Sequence, residues 1–149
     1  MSEVARGSFA VTAWEETVLQ DYGDGGRLVR VEAQLSYEGG LQGPALAEYL
    51  MVYRDDGGSE FHGYQRVQAD LDGRQGDLVL EVHARFDGRV TEGELAAITG
   101  SGDPVMREVK GAGSFFAELG PTGDYEFDYV WLDPAVSRTS VSAPKKPAG

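Results

Sequence analysis

Apolar and polar residues alternate with period two along most of this chain, the pattern of a β-strand with one buried face. From Leu28 to Tyr37, residues Val29, Val31, Ala33, Leu35 and Tyr37 share one side, and Arg30, Glu32, Gln34 and Ser36 the other. Phe61, Gly63, Gln65, Val67, Ala69 and Leu71 oppose His62, Tyr64, Arg66, Gln68 and Asp70. Leu78, Leu80, Val82, Ala84 and Phe86 oppose Asp77, Glu81, His83 and Arg85, and Tyr125, Phe127, Tyr129 and Trp131 oppose Glu126 and Asp128. Two stretches are less regular. Residues 45–54 are apolar on both faces, which predicts cover by another element or a subunit contact. Residues 9–17 set Phe9, Val11 and Ala13 opposite Ala10, Thr12 and Trp14, so Trp14 is expected to plug one end or meet a neighbour. Val105, Met106 and Val109 fit one helical turn, and residues 111–118 read as strand again.

Between these stretches lie seven clusters of Gly with polar residues or Pro, at residues 21–26, 38–43, 55–58, 72–76, 87–88, 99–104 and 120–124. Glycine adopts positive φ without a Cβ clash, as a tight reversal requires. Asp87-Gly88 reads as a two-residue hairpin. Eight sequential strands with short turns make a meander, and a meander best hides its edges by closing on itself. The expected fold is therefore all-β, an eight-stranded antiparallel up-and-down barrel spanning residues 1–133. A two-sheet sandwich would need a longer crossover. Residues 134–149 lose periodicity and collect Ser, Pro, Ala and Lys, which predicts a disordered tail.

Composition narrows the function. In 149 residues, 13 Lys+Arg against 25 Asp+Glu give a formal charge of −12, which repels nucleic acid and anionic membranes. There is no cysteine, so disulfides, thiolate zinc sites and cysteine nucleophiles are excluded. No apolar run approaches the roughly 20 residues of a membrane helix. The opening residues lack the pattern of a secretory signal, so a cytoplasmic protein is expected.

Candidate chemistry is sparse. His62 and His83 are in no H-x-x-x-H or H-x-H arrangement and fall on polar faces, so no histidine-rich metal site is read from spacing. Asp70-Leu-Asp-Gly73 lacks the further ligands of a calcium loop and reads as a hairpin. No nucleophile elbow or phosphate-binding fingerprint is present. What remains is an aromatic set: Tyr125, Phe127, Tyr129 and Trp131 share a face, and Tyr49, Met51, Tyr53, Phe61 and Gln65 are expected to look inward. Such side chains either fill a barrel as packing or line a pocket. Small inward neighbours (Ala33, Gly63, Ala69, Ala84) are expected to leave room. Glu48, in the doubly apolar stretch, is either a buried carboxylate of raised pKa or a rim residue paired with Arg54 or Arg66.

The order of these motifs resembles a bacterial family of small proteins of unknown function with a fold similar to the allene oxide cyclase barrel. The matching pieces are Gly7-Ser-Phe-Ala-Val-Thr-Ala-Trp-Glu-Glu16, Ala47-Glu-Tyr-Leu-Met-Val-Tyr53, Tyr64-Gln-Arg-Val67, Leu71-Asp-Gly-Arg-Gln-Gly76 with Leu78-Val-Leu80, Gly100-Ser-Gly102, Gly111-Ala-Gly-Ser-Phe115 and Asp124-Tyr-Glu-Phe-Asp-Tyr129. Where that family carries a histidine this chain has Val82, with His83 one position later on the opposite face, so the role is not transferred. The wider barrel class includes cofactor-free natural-product cyclases.

The resemblance implies a cofactor-independent cyclase or isomerase that folds a hydrophobic unsaturated molecule inside the barrel. Tyr129, Tyr49, Tyr53 and Glu48 are the expected catalytic or polarising groups. Met51, Phe61, Gln65, Tyr125, Phe127, Trp131 and Trp14 are the expected walls. No metal or other cofactor is called for, and a homo-oligomer, dimer or trimer, is expected. A non-catalytic carrier of a lipophilic ligand is the alternative, and a structural module without a cavity is a third.

Overall fold

The computed structural model describes residues 2–132. The expected tail lies outside the described residues. Eight strands, β1 (Glu3–Gly23), β2 (Gly26–Gly39), β3 (Leu41–Tyr53), β4 (Ser59–Leu71), β5 (Arg74–Phe86), β6 (Val90–Ala97), β7 (Val109–Glu118) and β8 (Thr122–Trp131), form a closed antiparallel barrel in sequence order. The seven reversals fall on the seven glycine clusters. Asp24-Gly25 and Asp72-Gly73 are tight two-residue hairpins, with φ of 55° and 86° in the first and 60° and 78° in the second. Both central residues with positive φ are what a type I′ turn demands. The reversal at Asp87 differs from expectation. Three residues separate β5 from β6, and the Asp87 carboxylate caps the turn by accepting the backbone N–H groups of Arg89 and Val90, each at 2.9 Å.

The alternation places the core. Val29, Val31, Leu80, Val82 and Ala84 are fully buried on the inner face, as are Leu41, Leu71, Leu78 and Phe127. Between β6 and β7 a single 3₁₀ turn, Pro104–Met106, seats a fully buried Met106 against this core. In β3 the alternation resolves the doubly apolar stretch. Ala45, Ala47, Tyr49 and Met51 face in, whereas Leu46, Leu50 and Val52 are exposed on the outer wall and nothing among the described residues covers them.

β1 departs from simple alternation. It pairs with β8 only from Glu3 to Ala10, but with β2 from Gly7 to Gly23. Thr12 is the extra residue of a bulge between Val11↔Leu35 and Ala13↔Gln34. A bulge shifts the side-chain phase by one. Trp14 therefore sits opposite inward-facing Ala33, on the same side as Val11, which corrects the expectation that the two point apart.

The far end of the barrel, where β2 turns into β3, is tied by Tyr125. Its hydroxyl accepts the Leu41 N–H at 2.9 Å and donates to the Leu41 carbonyl at 2.6 Å, with the Glu38 carbonyl a second acceptor at 3.0 Å. Tyr125→Phe strands the buried Leu41 N–H, and a buried unpaired donor costs about 1–3 kcal/mol. Urea unfolding should show a loss of that size, and a variant as stable as the parent would show that water replaces the hydroxyl.

Candidate functional site

The barrel is packed solid at one end and hollow at the other. A cavity of about 500 Å³ opens where β1 leaves β8 behind. Eight-stranded barrels have interiors just wide enough for side chains or one small ligand, and here side chains fill one end and leave a cavity at the other. Phe9, Leu35, Phe61 and Phe115 form the walls, with Val11, Thr12, Thr91 and Pro121 at the rim. Trp14 stands over the opening, 37% exposed, its ring 5.6 Å from Phe61 and 6.0 Å from Tyr49. The indole N–H donates to Glu16 at 2.8 Å, and Glu16 also accepts the Tyr53 hydroxyl at 2.5 Å. This carboxylate latches the overhanging part of β1 to the end of β3.

Polar groups in the cavity are few and ordered. Gln65, on β4, is 3% exposed and stands between two phenols. The Tyr37 hydroxyl donates to Gln65 Oε1 at 2.5 Å, and Gln65 Nε2 donates to the Tyr49 hydroxyl at 2.8 Å. The bonds run in one direction, so each polarises the next. The chain ends on the Tyr49 hydroxyl, whose proton has no acceptor among the described residues. Burial pushes the Tyr49 phenol up to about 12, against the opposing hydrogen bond from Gln65. Burial, with Tyr49 alongside, drives Tyr37 far above the usual phenol range. Both are neutral hydrogen-bonding groups at physiological pH. Among the described residues no carboxylate, lysine or histidine lines this cavity.

The structure divides the expected site residues. Tyr49, Phe61, Gln65 and Trp14 come together in the cavity. Met51 faces inward and is buried, paired across the ladder with Phe61, but lies outside the lining. Tyr53, the last residue of β3, also lies outside the cavity lining, with the Arg27 guanidinium over its ring, 3.9 Å from the ring centre. Its phenol is raised to about 12, first by burial and then by Glu16. Tyr125 is committed to Leu41. Phe127, Tyr129 and Trp131 line no part of this cavity. Phe127 stacks on Tyr129 at 5.9 Å, Tyr129 meets Trp131 edge-on at 6.0 Å, and Trp131 carries Arg74 on its face and donates to Asp72. Burial raises the Tyr129 phenol, helped by the charges of Asp72 and Glu3.

Glu48 is exposed on the outer wall, beside Glu32 and Tyr64 in the ladder, because β3 alternation turns even-numbered residues outward. It is neither a buried carboxylate nor in an ion pair with Arg54 or Arg66, whose partners are Asp56 and Glu60 for the first and Asp77 for the second. The room expected from Ala33, Gly63, Ala69 and Ala84 is also elsewhere, since none of them lines the cavity. A Cβ on Gly63 would collide with the Glu48 carbonyl, so this glycine serves close approach of β3 and β4 rather than empty space. The cavity also takes in Tyr37, Phe9 and Phe115, which are not among the expected site residues. Tyr37 carried a usable signal, an inward phenol in an otherwise aliphatic row that needs a partner.

Comparison with known proteins adds the following. The family model for DUF3224, described as a protein of unknown function, matches residues 5–129. A crystal structure of a DUF3224-family protein of unknown function from Shewanella oneidensis MR-1 is similar at a TM-score of 0.69 and 22% identity. It aligns over 89% of this chain and 99% of its own. No curated protein matches the chain.

The phenols give a pH signature. The unfolded chain ionises Tyr49 near its ordinary value of 10.0, but the folded chain holds the proton to about 12. Protons are lost first from the unfolded state, so the stability from this site is complete below pH 10 and declines as pH rises toward 12. The urea midpoint should fall across that window, and less steeply in Tyr49→Phe. Identical slopes for the two proteins would show that Tyr49 ionises alike in both states.

Proposed function

The chain belongs to the DUF3224 family, and from that premise we propose that its barrel binds a small, mostly apolar molecule bearing one hydrogen-bond acceptor. The molecule enters beneath Trp14, lays its hydrocarbon against Phe9, Phe61 and Phe115, and accepts the Tyr49 proton with a carbonyl or epoxide oxygen. The observation that carries this reading is the one-directional chain from Tyr37 through Gln65 to Tyr49 within an otherwise apolar cavity. Pockets for small molecules have this composition, apolar walls with a few placed polar groups.

Two kinds of work fit such a site. A flexible unsaturated ligand held in one bend would cyclise or isomerise faster, with Tyr49 polarising its oxygen and orientation supplying most of the gain. Effective molarities in oriented systems reach about 10⁵ M or more. This is the cofactor-independent cyclase or isomerase reading. Carriage of a lipophilic ligand without change is the second. The raised phenols favour it, because groups that hold their protons to about pH 12 are poor proton donors at neutrality.

A neutral ketone fluorophore, 6-propionyl-2-(dimethylamino)naphthalene, probes the site. It should bind saturably with blue-shifted emission, and Tyr49→Phe should weaken it about threefold to tenfold, the worth of one hydrogen bond. Tyr129→Phe, remote from the cavity, should bind as the parent does. No saturable binding, or a loss confined to Tyr129→Phe, would overturn the assignment. Incubation with linear polyene ketones and epoxides, followed by mass and retention time, then separates turnover from carriage.

A further inference from the structure

The outer wall of the barrel brings together two residues that chain spacing keeps apart. The Asp72-Gly73 hairpin fixes the β4–β5 register without a shift along its whole length, so every pair sums to 145, and His62 falls directly opposite His83. Counting outward from the turn, whose flanking pair is hydrogen bonded, places 62 and 83 at a non-hydrogen-bonded position, where facing side chains come closest. The two imidazole ring centres are 5.5 Å apart. Two imidazoles that bind one ion through bonds of about 2.0–2.1 Å have centres about 5 to 6 Å apart. Both rings are exposed, with side chains 58% and 51% accessible, so an ion reaches them without any opening of the fold.

The surroundings suit a cation. Glu81 lies 3.0 Å from His62 Nε2, and among the described residues its carboxylate has no other ion-pair partner. Glu60 lies 3.7 Å from His83 Nε2 but is also held by Arg54 at 3.0 Å. Glu94, opposite His83 on β6, is held by Arg85. Among the described residues no three ligating side chains yet converge on one point.

We propose that His62 and His83 form a two-imidazole site for a late divalent transition metal, with Glu81 as the nearest further ligand and water completing the shell. Imidazole nitrogen selects Cu²⁺, Zn²⁺ and Ni²⁺ over Mg²⁺ and Ca²⁺, and Cu²⁺ binds tightest of the three. The ion sits on the outside of β4 and β5, behind Phe61, so this site is separate from the barrel cavity.

Titration of CuCl₂ into the full chain, followed by calorimetry and by paramagnetic broadening of backbone amide signals, tests the site. One ion per chain should bind, with broadening centred on residues 62, 81 and 83. His62→Gln and His83→Gln should each abolish that saturable event and leave the melting temperature of the metal-free protein unchanged. Glu81→Gln should weaken it by about tenfold. Unchanged affinity in the double His62→Gln, His83→Gln variant, or broadening spread over the acidic surface without saturation, would overturn the proposal.

Discussion

The structure depends on β1 being shared between two neighbours. Its first residues pair with β8 and close the ring, while nearly all of its length pairs with β2. Closure removes the two exposed edges that an eight-stranded meander would otherwise present. The shared stretch is short, however. The last ladder pair between β1 and β8 is Ala10↔Thr122, and the Val11 N–H then donates to the Pro121 carbonyl at 2.7 Å before β1 runs on alone with β2. Where the double pairing stops, the barrel opens. The cavity is thus a consequence of unequal strand lengths, and the bulge at Thr12 turns Trp14 and Glu16 over it.

The interior divides accordingly. At the far end, Leu41, Leu71, Leu78, Met106, Val109 and Phe127 are excluded from water, and Tyr125 satisfies the backbone of the turn it abuts. At the open end, aromatic rings line a space they do not fill. The two ends treat tyrosine differently. Tyr125 spends its hydroxyl on the main chain, whereas Tyr37 and Tyr49 spend theirs on each other through Gln65, with one proton left over. A buried amide between two phenols in an apolar setting is costly unless fully paired. Here Gln65 is paired on both its oxygen and its nitrogen.

Much of the fold was legible in the sequence. Period-two alternation assigned the inner faces of β2, β4, β5 and β8, and glycine clusters assigned every reversal. The site was legible only in part. Phe61 and Gln65 follow from alternation, whereas the stretch holding Tyr49 is apolar on both faces and alternation gives it no side; elsewhere alternation gives a side, not a height along the barrel. For that reason Tyr129 and Trp131, on a correctly assigned inner face, belong to a different end from the cavity. A single-residue bulge leaves no period-two signature, and this hid the direction of Trp14. Glu48 stood out because its strand is apolar on both faces, yet the outer apolar row is exposed and so is Glu48. The His62–His83 juxtaposition was within reach, since a two-residue hairpin at Asp72-Gly73 determines which residues face each other across β4 and β5.

The central claim is that the barrel's open end contains accessible apolar space bounded by aromatic rings. Apolar cavities lined by aliphatic and aromatic side chains take up xenon. Chemical-shift mapping of the methyl groups under xenon pressure tests the claim without any assumption about the natural ligand. Saturable shifts should appear at Val11, Leu35 and Ala117, which border the cavity, and leave Leu41, Leu71 and Leu78 at the packed end unmoved. Shifts confined to the packed end, or none at all, would contradict the account.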